Sequence, residues 1–209
     1  MHRHILSDEQ KHLLPLINLF RNKFYLVGGT AIALHLGHRR SIDFDLFTIK
    51  RVNRIQIKKI LSDKSPGNIE FGYEDVNQMH AKINSVKITF FNYPYSVPAT
   101  IDFDGIINLP SLPDLAAMKA FAFGQRAKWK DYVDMYFLLK NNLNFNDICK
   151  RTENLFNINK SIVFTEKLFR QQLSYFKNID YSEPVEFIGN PVPDDEIRNF
   201  LTEVALTPF

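Results

Sequence analysis

Residues 24–47 read FYLVGGTAIALHLGHRRSIDFDLF, and the fold turns on this stretch. Residues 24–27 form a short apolar run with the length of a buried strand. Gly28 and Gly29 follow at once, where the backbone turns sharply or comes closer to a ligand than a Cβ would allow. Thr30 then precedes Ala31, Ile32, Ala33 and Leu34, and it is placed to cap the helix they form. A glycine turn into a helix start leaves N–H groups pointing outward, which suits a phosphate. A second strand over residues 41–47 ends the stretch. Alternation puts Ile42, Phe44 and Leu46 on one face and Asp43 and Asp45 on the other. Two neighbouring carboxylates repel, and an oxygen-preferring divalent metal is the natural counter-cation.

The rest of the 209-residue chain has an ordinary composition, with 45% hydrophobic and 23% charged residues. Nineteen phenylalanines supply a sizeable core, and a net charge of +3 permits a nucleotide or nucleic-acid partner without requiring one. The lone Cys149 excludes an intramolecular disulfide and reads as a small buried apolar residue. With no leader segment in view, a cytoplasmic setting is expected. No apolar run approaches the length of a membrane span. The six histidines, His2, His4, His12, His35, His38 and His80, lack zinc-ligand spacing.

Upstream, residues 7–23 read as a helix opened by a Ser7/Gln10 capping box. Downstream, residues 51–61 form an amphipathic helix whose Arg51, Arg54 and Lys58 share a face. That face is either solvated or a stripe for RNA phosphates. Residues 69–73, 79–83 and 86–92 read as strands, the last two joined as a hairpin across Asn84-Ser85. Pro94 and Pro98 break the chain, and residues 106–109 give a short strand. After Pro110 the pattern is helical: residues 112–123, a basic turn over 124–128, residues 129–139, and then 144–156, 159–176 and 193–206. The expected fold is α/β (α+β), a mixed β-sheet flanked by helices. It forms a core domain over residues 1–110, followed by a helical C-terminal region over 111–209.

Thirteen residues separate Gly29 from Asp43. The order strand, Gly-Gly, helix, Asp-x-Asp resembles the signature of the polymerase-β-type nucleotidyltransferases. More narrowly, GGTAIALHLGHRRSIDFDLF resembles the AbiEii/AbiGii nucleotidyltransferase toxins, as does SVKITFFNYPYSVP at 85–98. LPDLAAMKAFAF at 112–123, followed by KDYVDMYFLL at 130–139, resembles that family's second signature block.

The resemblance implies a metal-dependent enzyme that transfers a nucleoside monophosphate from an NTP to a hydroxyl of RNA, a tRNA end in particular, or of a protein. It implies the toxin of a bacterial type IV toxin–antitoxin or abortive-infection system, with an antitoxin as partner. Asp43 and Asp45 would hold Mg²⁺ or Mn²⁺. Gly28, Gly29 and Thr30 would hold the phosphates. Lys119, Lys130 and Asp131 carry over from the second block, with Asp134 one helical turn on. Lys119 would stabilise phosphate charge, and Asp131 would serve as base, metal ligand or lysine anchor. On this reading Lys119 and Asp131 are removable with little loss of stability. Taken simply as an i, i+4 pair, Lys130 and Asp134 would contribute little. Arg39 and Arg40 either hold phosphate or RNA or are solvated loop charges.

One departure stands out. The superfamily's third carboxylate falls at Thr89, which leaves one-metal catalysis open. Asp102 or Asp104, in a segment that echoes Ser41–Asp45, would replace it or merely end a surface strand; Glu70 is a more distant substitute. Two other readings share parts of the pattern. A small-molecule, antibiotic-type nucleotidyltransferase shares the Gly-Gly and Asp-x-Asp block, and Thr89 favours a catalytically impaired nucleotide-binding relative.

Overall fold

The structure, a computed structural model, describes residues 1–123, 128–141, 143–157 and 163–207. Most of the basic turn read at 124–128 lies outside the described residues. The chain divides into two compact units, Met1–Ser111 and Leu112–Phe209.

The first unit opens with α1 (Asp8–Asn18), whose capping box forms as the sequence predicts. Ser7 Oγ accepts from Gln10 N at 3.2 Å, and Gln10 Oε1 accepts from Ser7 N at 3.1 Å. The helix stops five residues short of Lys23 because its end tightens. Leu19, Phe20 and Arg21 donate to carbonyls three residues back rather than four. Then come β1 (Tyr25–Val27), α2 (Gly28–Leu36), β2 (Phe44–Thr48) and α3 (Arg54–Lys64). α3 starts later than the apolar pattern suggests, because Asn53 caps it by accepting from Gln56 N at 3.1 Å. β3 (Ile69–Glu74), β4 (Gln78–Ile83) and β5 (Val86–Asn92) complete a five-stranded sheet in the order β1-β2-β5-β4-β3. Only β2 and β5 run parallel, so the sheet is mixed.

Alternation gives this sheet two unlike faces. Phe44, Leu46, Met79, Ala81, Ile83, Val86, Ile88 and Phe90 are fully buried on one. Phe20 and Phe24 close on Phe90 there, with ring centroids 4.9 and 5.3 Å away. Burying a side chain of this size is worth roughly 1.5–3 kcal/mol, so this face anchors the unit. The other face carries Asp45, Phe47, Thr89, Phe91, Gln78 and His80, all half-buried. β3 is an edge strand whose register breaks between Phe71 and Glu74. A separate hairpin pairs β6 (Ile101–Phe103) with β7 (Ile107–Leu109).

The second unit is helical: α4 (Leu112–Phe123), α5 (Trp129–Asn141), α6 (Phe145–Phe156), α7 (Glu166–Leu173) and α8 (Asp194–Leu206). Ala116, Ala117 and Ala120 let α6 pack close to α4, and Phe121 stacks on Phe156 at 4.4 Å. α7 is shorter than the 159–176 helix read from the sequence. Thr165 caps it, accepting from Leu168 N at 3.2 Å, and residues 158–162 lie outside the described set. Among the described residues, no helix is long and apolar enough to cross a membrane.

Candidate active site

In the first unit, β1 runs straight into α2 through Gly28, whose φ is +75°. A Cβ built on Gly28 would overlap Asp45 Oδ2, so the missing side chain is the space in which that carboxylate sits. The pairing of Val27 with Asp45 across β1 and β2 fixes this juxtaposition. Gly29 does the same for a cation: a Cβ there would lie 2.6 Å from Arg39 Nη2 and 3.1 Å from Ser41 Oγ. Arg39 is only 4% exposed, and its Nη1 donates to Arg40 O at 2.9 Å. Val27 gives α2 no side-chain cap, so the helix starts without the hydroxyl or amide oxygen that caps α1 and α3.

Thr30 is not that cap. It sits inside α2, fully buried, and its hydroxyl donates to Asp43 O with Ser41 Oγ and Ser41 O also in reach, at 3.0 and 3.2 Å. Gln10 Nε2 donates to the same Ser41 carbonyl at 2.9 Å. These side chains stitch residues 41–43 to α1 and α2 in place of a strand ladder. β2 therefore begins only at Phe44, and Ile42, expected on the buried face, is 52% exposed. Asp43 lies just before the strand and Asp45 within it.

Across the sheet, Asp45 pairs with Thr89, and Thr89 pairs in turn with His80. Residues paired this way share a face, so Asp45, Thr89 and His80 form one row. Thr89, the residue at which the sequence reading set the third carboxylate, thus stands beside Asp45. His80 was missed in the sequence, although a hairpin centred on Asn84-Ser85 already sets residue 80 opposite residue 89. Burial holds its pKa below the ordinary histidine value and Lys87 pushes the same way, while Asp45 and Asp75 oppose. Beyond the row, Phe47 and Phe91 form an aromatic wall, with ring centroids 5.1 Å apart.

Two of the three substitutes for a third carboxylate are engaged elsewhere. Asp102 Oδ2 accepts from Gly105 N at 2.7 Å and Asp102 Oδ1 lies 3.9 Å from Arg21. Asp104 pairs with Arg3 at 3.4 Å, and Glu70 stands opposite Lys82 on the edge strand. No group of three or more histidine, cysteine or acidic side chains gathers to bind a metal among the described residues. Asp45, seated in the space Gly28 leaves, and Asp43 two residues before it are a donor set that suits Mg²⁺, which takes one or two protein carboxylates and completes its shell with water and phosphate oxygens.

In the second unit, Lys119 is 6% exposed and its Nζ lies 2.8 Å from Asp131 Oδ1 and 2.9 Å from Asp134 Oδ2. α4 supplies the lysine and successive turns of α5 supply the aspartates, which are 2% and 0% exposed. The structure thus brings Lys119, Asp131 and Asp134 together. Asp134 pairs with Lys119, while Lys130 pairs with Glu183, as does Lys128. Burial raises the Glu183 pKa, but the two lysines outweigh it and hold the carboxyl down to about 2.

Comparison with known proteins places this geometry. JHP933 from Helicobacter pylori superposes with a TM-score of 0.61 at 16% identity, covering 96% of this chain and 91% of that one. MenT4, a nucleotidyltransferase toxin from Mycobacterium tuberculosis H37Rv, superposes with a TM-score of 0.62 at 14% identity, covering 94% and 80%. At these identities the likeness is one of fold. An uncharacterized protein of Aquifex aeolicus (strain VF5) is 31% identical over 144 residues, 66% of this chain and 68% of its own length. The family described as nucleotidyl transferase AbiEii toxin, type IV toxin–antitoxin system, matches residues 16–203. With its Gly-Gly turn seated under Asp45, the chain belongs to that AbiEii family and is a nucleotidyltransferase.

Proposed function

We propose that the protein transfers a nucleoside monophosphate from an NTP to an RNA hydroxyl, as the toxin of a pair whose antitoxin restrains it. The observation that carries this reading is the Asp45 carboxylate lodged in the space left by Gly28. Residues 1–110 are the nucleotidyltransferase core in this reading, and residues 111–209 supply further catalytic groups. Mg²⁺ or Mn²⁺ held by Asp43 and Asp45 would neutralise triphosphate charge and lower the pKa of the attacking hydroxyl. The Gly28–Gly29 turn offers backbone N–H groups to the phosphates, and Arg39, Arg40 and Lys130 are the cations assigned to them in this reading, Lys130 by exchanging Glu183 for phosphate. Thr30 acts through Asp43, whose carbonyl it holds. Lys119 supplies charge to the phosphates, and Asp131 anchors it.

The test is direct. The protein is incubated with each of the four α-labelled NTPs, total RNA and Mg²⁺ or Mn²⁺, with and without a chelator. Label entering RNA only with the metal, and not with Asp45→Asn, is the expected result. Label entering a small hydroxylated acceptor instead would favour the antibiotic-modifying reading, and no transfer would leave a nucleotide-binding relative.

A further inference from the structure

Nucleotidyl transfer needs a group to take the proton from the attacking hydroxyl, and Asp131, read as a base, is paired, as are Asp102 and Asp104, two of the three substitutes for a third carboxylate. Asp131 accepts from Lys119 at 2.8 Å. Asp102 and Asp104 lie beside Arg21 and Arg3, and Glu70 stands opposite Lys82. Thr89 fills the third-carboxylate position with a hydroxyl too weakly acidic to serve as a base at neutral pH. The next titratable side chain on the row is His80.

We infer that His80 is the general base of the transfer, doing from β4 what a carboxylate on β5 would otherwise do; this rests on the nucleotidyltransferase reading above. Paired strands lie roughly 4.8 Å apart, so His80 stands two strands, about 10 Å, from Asp45. Thr89, the residue between them on the row, carries only a short side chain. A ring nitrogen of His80 takes the hydroxyl proton as the oxygen bonds to the α-phosphorus. The α-phosphorus to bridging-oxygen bond breaks, and its electron pair leaves with pyrophosphate. The imidazolium then returns its proton to solvent.

The surroundings keep the ring in its accepting form. Lys87 and Thr89 face it from β5 and Asp45 from β2. Tyr73 lies beside it from β3, ring centroids 6.0 Å apart, and Asp75 acts from the following turn. Gln78 and Lys82 flank it on its own strand. Burial and Lys87 together favour neutral imidazole. Only neutral imidazole accepts a proton, so the rate should rise with pH through the His80 pKa and then level.

The experiment measures kcat/KM against pH for wild type, His80→Ala and His80→Gln, with nucleotide affinity by calorimetry and melting temperature beside it. Both variants should lose about 100- to 1,000-fold in kcat/KM and the rising limb of the profile. Nucleotide affinity and melting temperature should hold, and added imidazole should restore part of the His80→Ala rate. A wild-type rate and profile in either variant would overturn the inference. So would a loss that tracks weakened nucleotide binding or folding and does not respond to imidazole. If wild type transfers nothing, the parent reading falls and the base goes with it; if wild type transfers but the variants behave as wild type, only the base falls.

Discussion

The two charged clusters of this protein are held in opposite ways. In the first unit, backbone geometry places the Asp45 carboxylate over Gly28, on a half-buried sheet face. In the second, charge places the groups: Lys119 sits between Asp131 and Asp134 with almost no solvent exposure. A carboxylate positioned by backbone can change its partners without unsettling the fold, as binding and releasing a metal–nucleotide would require. A buried ion cluster cannot, because removing one member leaves the others charged in a poor solvent. The first cluster is thus suited to turnover and the second to keeping one lysine fixed.

This difference can be broken at either end. The largest effect is expected from Lys119→Ala, which should abolish transfer and also destabilise the protein by about 3–5 kcal/mol by removing the lysine from between two buried carboxylates. That departs from the expectation that Lys119 is removable at little structural cost, and urea unfolding decides it. A midpoint unchanged from wild type would mean the cluster is not closed. Asp45→Asn comes next: at least about 100-fold loss of transfer with a melting temperature near wild type. If Asp45→Asn also melts early, the contrast between the clusters disappears.

Glu183→Gln tests a partly exposed pair and should cost less than about 1 kcal/mol. The sign of its pH dependence follows from Glu183 being held down to about 2. Its contribution is present above the ordinary glutamate value and is lost as pH falls through that value toward 2. Acid unfolding of Glu183→Gln should therefore lack that part of the wild-type slope. The smallest effect concerns Cys149, whose thiol burial pushes up to about 12. A thiol reagent at pH 8 should leave it unmodified in the folded protein and label it after denaturation.

Much of this was legible in the sequence because it was local. Strand, Gly-Gly, helix and Asp-x-Asp lie within 24 residues, and each carries its own backbone preference. The Ser7/Gln10 box was readable for the same reason. What escaped was decided by partners far along the chain. Thr30 was read as a cap because Ala31–Leu34 follow it, but Ser41 and Asp43 claim its hydroxyl. Ile42 fits a strand alternation that the bonds from Gln10 and Thr30 cut short. Lys130 and Asp134 have helical spacing, but each has a stronger partner in Glu183 and Lys119. His80 was within reach of arithmetic on the hairpin, yet its importance depends on its standing beside Thr89 and Asp45.

The broken register of β3 has a further consequence, for what the sheet does in a crowded solution. The sheet ends on β1, three residues long, and on β3, where Phe71 and Tyr73 are 43% and 59% exposed. An apolar rim of that kind invites another strand to add to it. The irregularity between Phe71 and Glu74 interrupts the row of backbone groups an incoming strand would need, and Glu70 and Glu74 put negative charge at either end of the interruption. The rim is thereby blunted against fibrous, edge-to-edge growth, and straightening β3 by deleting one residue of the bulge should make the protein prone to it.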